Sequence, residues 1–188
     1  MNQASYSRKK VAPIIASVVG ALLVAFLWVL VTAEPNTADD ADSPLLGQPA
    51  PSVVSTTLDD EEFVLANRKG SWVVFNFFNS TCVPCIAEHP ELVAFSEREL
   101  QATNPAEIYT VINDDNDASV RAFFSKNGGD WQKVRDTDGA ISVSFGVAKV
   151  PETWVIDPNG FVRLRIAGML TPGLLDDQLA QLKAQFGS

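Results

Sequence analysis

Cys82-Val83-Pro84-Cys85 is the stretch of this chain whose residue types and spacing could do chemistry. It follows a near-continuous apolar run, Trp72–Phe78, of the kind that forms a strand buried on both faces. It opens a helical pattern that runs from Val83 to about Thr103, with Leu92, Ala94 and Phe95 on the apolar side. A cysteine at such a junction sits at a helix N-terminus. There the unpaired backbone N–H groups and the helix dipole stabilise a thiolate. The second cysteine lies one turn on, within disulfide reach and less exposed. Cys82 is therefore expected to attack and Cys85 to resolve the mixed disulfide. Two other uses of the pair compete with this one. A zinc half-site would need two further ligands, yet the chain has no other cysteine and a single histidine, His89. A purely structural disulfide across so short a loop would gain little chain entropy.

The surrounding elements must hold this pair in place. Ser52–Leu58 and Glu62–Leu65 read as short strands around the acidic turn at Asp59-Asp60, and Ile108–Ile112 as a second apolar strand. Ala118–Asn127 has helical spacing at Val120, Phe123 and Phe124 and stops at Gly128-Gly129. Trp131–Val134 reads as a strand and Ala140–Phe145 as a short helix. Thr153–Ile156 and Val162–Ala167 flank Asp157-Pro158-Asn159-Gly160, a hairpin signal. A last helix has Leu175, Leu179, Leu182 and Phe186 on its buried face, with Thr171 as its cap and Pro172 in its first turn. Strands alternating with helices predict an α/β fold with a mixed sheet.

Composition bounds the rest. Of 188 residues, 46% are hydrophobic and 20% charged, which excludes wholesale disorder. The net charge of −9 argues against nucleic acid as a partner. Arg8, Lys9 and Lys10 are the sole charges before Glu34, and Val11–Ala33 has none. A charge-free run of that length is expected to be a transmembrane anchor, with residues 1–10 cytoplasmic by the positive-inside rule. A cleaved signal peptide ending near Ala33 is the competing reading. Residues 34–43 read as an acidic linker and 44–188 as one domain outside the cytoplasmic membrane, where disulfides persist. The cluster Asp114, Asp115 and Asp117 lacks the glycine and distant glutamate of a calcium loop and reads as a solvated loop with helix caps. His89 reads as a solvated or capping residue.

The segment Asn76–Pro90, with Cys82-Val83-Pro84-Cys85 followed by Ile86-Ala87-Glu88-His89, resembles the active-site segment of membrane-anchored thioredoxin-like proteins of the TlpA/ResA type. Together with Gly146–Asp157, which contains Val150-Pro151-Glu152-Thr153, it is similar to the cytochrome c maturation branch called CcmG or DsbE. Leu46-Gly47-Gln48-Pro49-Ala50-Pro51 also fits. The resemblance implies a thioredoxin fold with an N-terminal β-hairpin, no cofactor, and a cis-proline at Pro151 that presents backbone to the partner. It implies a protein-disulfide reductase that is re-reduced by a membrane thiol–disulfide electron donor. Its substrate is a disulfide-bearing protein, apocytochrome c in the first place. Glu88 and Glu152 are the acidic residues that this family places near the dithiol, where a carboxylate disfavours the thiolate and makes the pair more reducing. Thr81 stands where the family has tryptophan, and Ile86 replaces a common basic residue. Other expectations compete. One is a general disulfide oxidase or isomerase, which would need a destabilised disulfide. Another is a metallochaperone, which would want a wider cysteine spacing and a distant histidine. The P-x-x-x-T-x-x-C pattern of thiol peroxidases is absent, with Phe75 and Asn79 at the corresponding positions.

Overall fold

The computed structural model describes residues 11–32, 39–40 and 42–186. The chain divides into two units, Met1–Pro35 and Asn36–Ser188. In the first, α1 (Val11–Thr32) is a 22-residue helix without a charged side chain. Among the described residues no helix is long and apolar enough to cross a membrane. Arg8-Lys9-Lys10 lies outside the described residues.

The second unit runs β1 (Asp39–Asp40), β2 (Val54–Thr56), β3 (Glu62–Val64), a 3-10 turn at Leu65–Arg68, β4 (Trp72–Phe78), α2 (Val83–Glu99), β5 (Ala106–Ile112), α3 (Asp117–Asn127), β6 (Lys133–Arg135), α4 (Ala140–Phe145), β7 (Glu152–Ile156), β8 (Val162–Ala167) and α5 (Leu174–Phe186). Six strands form one sheet in the order β1-β8-β7-β4-β5-β6, and β2 and β3 form a separate hairpin. The central strand β4 pairs parallel with β5 and antiparallel with β7. Such mixed pairing with a helix after β4 puts the β4–α2 junction at the C-terminal end of the central strand, where α/β sheets hold their sites.

All seven residues of β4 are buried, so its side chains alternate between two cores. Val73, Phe75 and Phe77 face a core shared with Phe63 of the hairpin, Phe145 of α4 and Trp154. Trp72 and Val74 face Leu92 and Phe95 of α2 and Leu175, Leu179 and Leu182 of α5. A third cluster gathers Phe78, Ile112, Val120 and Phe124 around Cys85. The apolar faces expected of α2, α3 and α5 are the faces the structure buries.

Three local readings are corrected. The last helix starts at Leu174 and not at Pro172. Gly173 takes φ +76°, outside the helical region, and the Leu174 N–H closes a turn on the Thr171 carbonyl (3.1 Å). The third parallel strand starts at Lys133, because Trp131 turns aside to donate its indole N–H to Thr110 Oγ1 (2.8 Å). Within the acidic linker, Asp39-Asp40 is a short strand against Ile166-Ala167 of β8. Most of the linker falls outside the described residues.

Candidate functional site: a disulfide at the head of a helix

Cys82 and Cys85 are joined in a disulfide, with their Cα atoms 5.2 Å apart. Cys82 is the N-cap of α2 in extended conformation, and its sulfur lies 3.3 Å from the Cys85 N–H, which points at it. Pro84 sits in the first turn, where its missing N–H costs nothing. Cys82 is half-buried, whereas Cys85 is fully buried. The first sulfur can therefore be reached from outside and the second cannot.

The approach to Cys82 is built by polar residues. Asn79 Nδ2 donates to the carbonyls of Asn113 (3.1 Å) and Asp114 (2.7 Å). Asn79 Oδ1 accepts from the Thr81 N–H and hydroxyl (2.8 and 2.7 Å). The Ser80 N–H donates to Asp115 Oδ2 (2.6 Å). Asp114 takes φ +47°, a left-handed conformation that aspartate tolerates better than most residues. Thr81 thus occupies the place before Cys82 as an exposed hydroxyl tied to Asn79. Asp115, read from sequence as solvated, is a strut for the cysteine loop.

The Val150–Pro151 bond is cis, as the resemblance implied, and the Val150 carbonyl oxygen lies 3.6 Å from Cys82 Sγ. Pro151 is buried, and its carbonyl accepts the Gly168 N–H (3.0 Å). The proline loop and the accessible sulfur are therefore neighbours, although 68 residues separate Cys82 from Val150.

The two expected carboxylates part company. Glu88 is one turn after Cys85 on the same buried face of α2. Its Oε1 accepts from Asn76 Nδ2 (2.8 Å) and its Oε2 from the Leu170 N–H (2.7 Å). Burial pushes its pKa from 4.5 up to about 7, against the pull of these two hydrogen bonds. Glu152 is the first residue of β7 and is 2% exposed. The pleat turns it to the sheet face of Trp154, opposite that of Thr153 and Glu88. There Arg165 holds it at 2.6 Å, and the Trp154 indole N–H adds a contact at 3.2 Å. Its charge is matched by a guanidinium, whereas Glu88 is held by an amide and a backbone N–H.

His89 is not solvated but buried among Phe78, Phe123, Phe124 and Trp131. Its Nε2 lies 3.0 Å from the Gly128 carbonyl. Burial lowers its pKa from 6.5, the Gly128 and Asn127 carbonyls oppose that shift, and Lys133 adds to it. The ring joins α2 to the end of α3 and belongs to the core. Among the described residues no group of three His, Cys, Asp or Glu side chains could hold a metal ion.

Asn76 and Arg165 escaped the sequence reading. One signal was present: Asn76 is the sole polar residue in the strand Trp-Val-Val-Phe-Asn-Phe-Phe. A buried amide is costly unless it is hydrogen-bonded, so its presence there required a partner.

Comparison with known proteins agrees with this geometry. Residues 46–165 match the AhpC/TSA family. The chain is 28% identical over 171 residues to the thiol:disulfide interchange protein DsbE of Pseudomonas aeruginosa, covering 89% of this chain and 88% of that one. It is 32% identical over 154 residues to the thiol:disulfide interchange protein HelX of Rhodobacter capsulatus, covering 80% and 82%. Among solved structures, a thioredoxin-family thiol:disulfide interchange protein from Chlorobium tepidum superposes with a TM-score of 0.64 at 23% identity, covering 75% of this chain and 98% of that one. This chain belongs to the AhpC/TSA thioredoxin-like family, and within it to the thiol–disulfide oxidoreductases of the DsbE/HelX type.

Proposed function

We propose that the protein reduces disulfides of partner proteins outside the cytoplasmic membrane, with apocytochrome c as the first candidate partner. The observation that carries this reading is the buried Glu88 carboxyl on the helix face of Cys85, without a cationic partner among the described residues. Such a carboxyl disfavours thiolate in the reduced pair and can take the proton that Cys85 must lose.

In the cycle, Cys82 thiolate attacks a partner disulfide, forming Cys82–S–S–partner and expelling one partner thiolate, which takes a proton from solvent. The Cys85 thiol gives its proton to Glu88 and attacks the Cys82 sulfur. The Cys82–Cys85 disulfide forms and the second partner sulfur leaves as thiolate, which is then protonated. Two electrons pass to the partner. A membrane thiol–disulfide donor reduces Cys82–Cys85 again. The Val150 carbonyl lies beside Cys82 Sγ, so on this reading the partner peptide runs along the backbone just before the cis-proline. Glu152, held by Arg165, keeps the proline loop in register with β8.

The anchor rests on sequence and exposure. Arg8-Lys9-Lys10 precedes a charge-free run, and Ile14, Leu22, Val24, Phe26 and Leu27 of α1 are all more than half exposed. Although no helix among the described residues is long and apolar enough by itself to cross a membrane, an exposed charge-free helix behind a basic cluster is the arrangement that an N-terminal anchor requires. On this reading residues 1–10 are cytoplasmic, 34–43 form the linker and 44–188 the catalytic domain.

The test is reduction of an oxidised peptide carrying Cys-x-x-Cys-His, compared with oxidised glutathione as an unspecific acceptor. The reduced full chain in detergent is expected to reduce the peptide at least about tenfold faster, which corresponds to about 1.4 kcal/mol of differential recognition. Equal rates would remove apocytochrome c as the favoured partner.

A further inference from the structure

Glu88 is held by two donors of different kinds. The Leu170 N–H on Oε2 is backbone and can only donate. A proton taken up by Glu88 must therefore sit on Oε1, which faces Asn76. Asn76 is an amide, with a donor and an acceptor at the end of one rotatable group. Its Nδ2 donates to Glu88 Oε1 (2.8 Å) and to Thr153 Oγ1 (3.2 Å). Its Oδ1 is buried and has no hydrogen-bond partner among the described residues. A half-turn of the amide would put Oδ1 where Nδ2 stands, between the same two oxygens. It would then accept from a Glu88 O–H and from the Thr153 hydroxyl. Each orientation makes two hydrogen bonds and leaves one amide group unused.

We propose that Asn76 is a positioning residue that serves both protonation states of Glu88, donating through Nδ2 to the carboxylate and, after a half-turn, accepting through Oδ1 from the acid. The amide lets the buried carboxyl exchange a proton without losing a hydrogen bond in either state. It also passes that state to Thr153, two residues after Pro151, on the strand that carries the proline loop. The link to catalysis rests on the reading of Glu88 as the proton acceptor for Cys85. The amide rotation itself does not.

The other titratable groups on the packed elements have partners of their own or lie apart. On α2, Glu91 accepts from the Gly173 N–H (3.4 Å), His89 sits in its aromatic box, and Cys85 is in the disulfide. On β7, Glu152 is paired with Arg165 on the opposite sheet face. On α5, Asp176 is paired with Arg98. Strand β4 carries no charge.

The test uses the isotopically labelled oxidised full chain in detergent micelles, with no partner present. The Glu88 carboxyl carbon and the Asn76 side-chain amide are followed by NMR from pH 4 to 9. The amide shifts are expected to move with the same midpoint as the carboxyl. Close contacts from the amide protons to the Thr153 side chain, present at high pH, are expected to vanish at low pH. Asn76→Asp, which only accepts when ionised, is expected to raise the Glu88 midpoint by about one pH unit or more. In the reduced chain, the same substitution should shift the pH profile of disulfide reduction in the native background and leave it unmoved beside Glu88→Gln. Amide contacts that persist unchanged through the Glu88 titration would overturn the inference, as would a Glu88 that does not titrate in this range. Co-titration in a chain that reduces no disulfide would instead uphold the rotation and sink the functional reading.

Discussion

Cys82→Ser is expected to abolish disulfide exchange, and Cys85→Ser is expected to attack but fail to release. The first result follows from chemistry: a serine hydroxyl is not ionised near neutral pH and cannot displace a disulfide sulfur. The second follows from burial. Cys85 is 0% exposed and Cys82 half-buried, so a partner disulfide reaches Cys82 alone. With Cys85 absent, no internal thiol can break Cys82–S–S–partner. Turnover in either variant should fall to that of buffer thiol. The two differ in what accumulates: Cys85→Ser should give a covalent adduct on a non-reducing gel that disappears with dithiothreitol, and Cys82→Ser should give none. A trapped adduct in Cys82→Ser would reverse the assignment of the two sulfurs.

Glu88→Gln is expected to change the pH dependence of both stability and rate. The folded-state pKa of Glu88 is raised from 4.5 to about 7. The folded protein therefore binds more protons than the unfolded chain between these values. Its contribution is fully present below pH 4.5 and is lost as pH rises to about 7. The loss amounts to about 3 kcal/mol, from roughly 1.4 kcal/mol per pH unit. His89 acts with the opposite sign. Its depressed pKa gives stability above pH 6.5 that declines as pH falls below that value. The two partly offset each other in the native chain just below pH 6.5. Removing the Glu88 carboxyl should leave the His89 trend exposed, so that Glu88→Gln gains on the native chain from pH 4 to pH 8 by about 3 kcal/mol in urea unfolding. It should also slow resolution of the mixed disulfide, because Cys85 loses its proton acceptor. A constant stability difference across this range would show that the carboxyl is not held protonated by burial.

Much of this fold was legible because its elements carry strong, separate signals. The run Trp72–Phe78 bears the mark of a strand buried on both faces, and Cys82, beyond Asn79-Ser80-Thr81 and just before a helical pattern, reads as the head of a helix. The hairpin around Asp157-Pro158-Asn159-Gly160 announced itself by turn chemistry, and Asp157 does accept from the N–H groups of Asn159 and Phe161 (both 2.9 Å). The start of α5 was harder to read. Thr171-Pro172 is a good helix opening, but Gly173 adopts a left-handed turn that local preference does not require.

The site was legible as far as single residues carry their own chemistry. The disulfide at the head of α2, the cis bond before Pro151 and the buried Glu88 one turn after Cys85 each lie on the element that the sequence assigns to it. What sequence could not show is which face each group takes and what meets it there. Glu152 follows Pro151 directly, yet the two-residue period of β7 turns it away from Glu88, and Arg165 arrives from the neighbouring strand. His89 follows Glu88, and the helix carries it into an aromatic box supplied by β4, α3 and the Gly128–Trp131 turn. Asn79 meets the Asn113 and Asp114 carbonyls, and Ser80 meets Asp115, only because β4 and β5 are parallel neighbours whose C-terminal loops rise side by side.

On the function proposed, the reduced Cys82/Cys85 pair gives electrons away. Of the two carboxylates, Glu88 is the one without an ion pair among the described residues, and on the proposed reading it carries this effect. The reduction potential of the full chain, equilibrated in thiol/disulfide buffers, tests this most directly. A value of about −270 mV or more negative, that of thioredoxin or below, is the result expected of a reductase. A value between about −180 and −120 mV, where isomerases and oxidases lie, would contradict it.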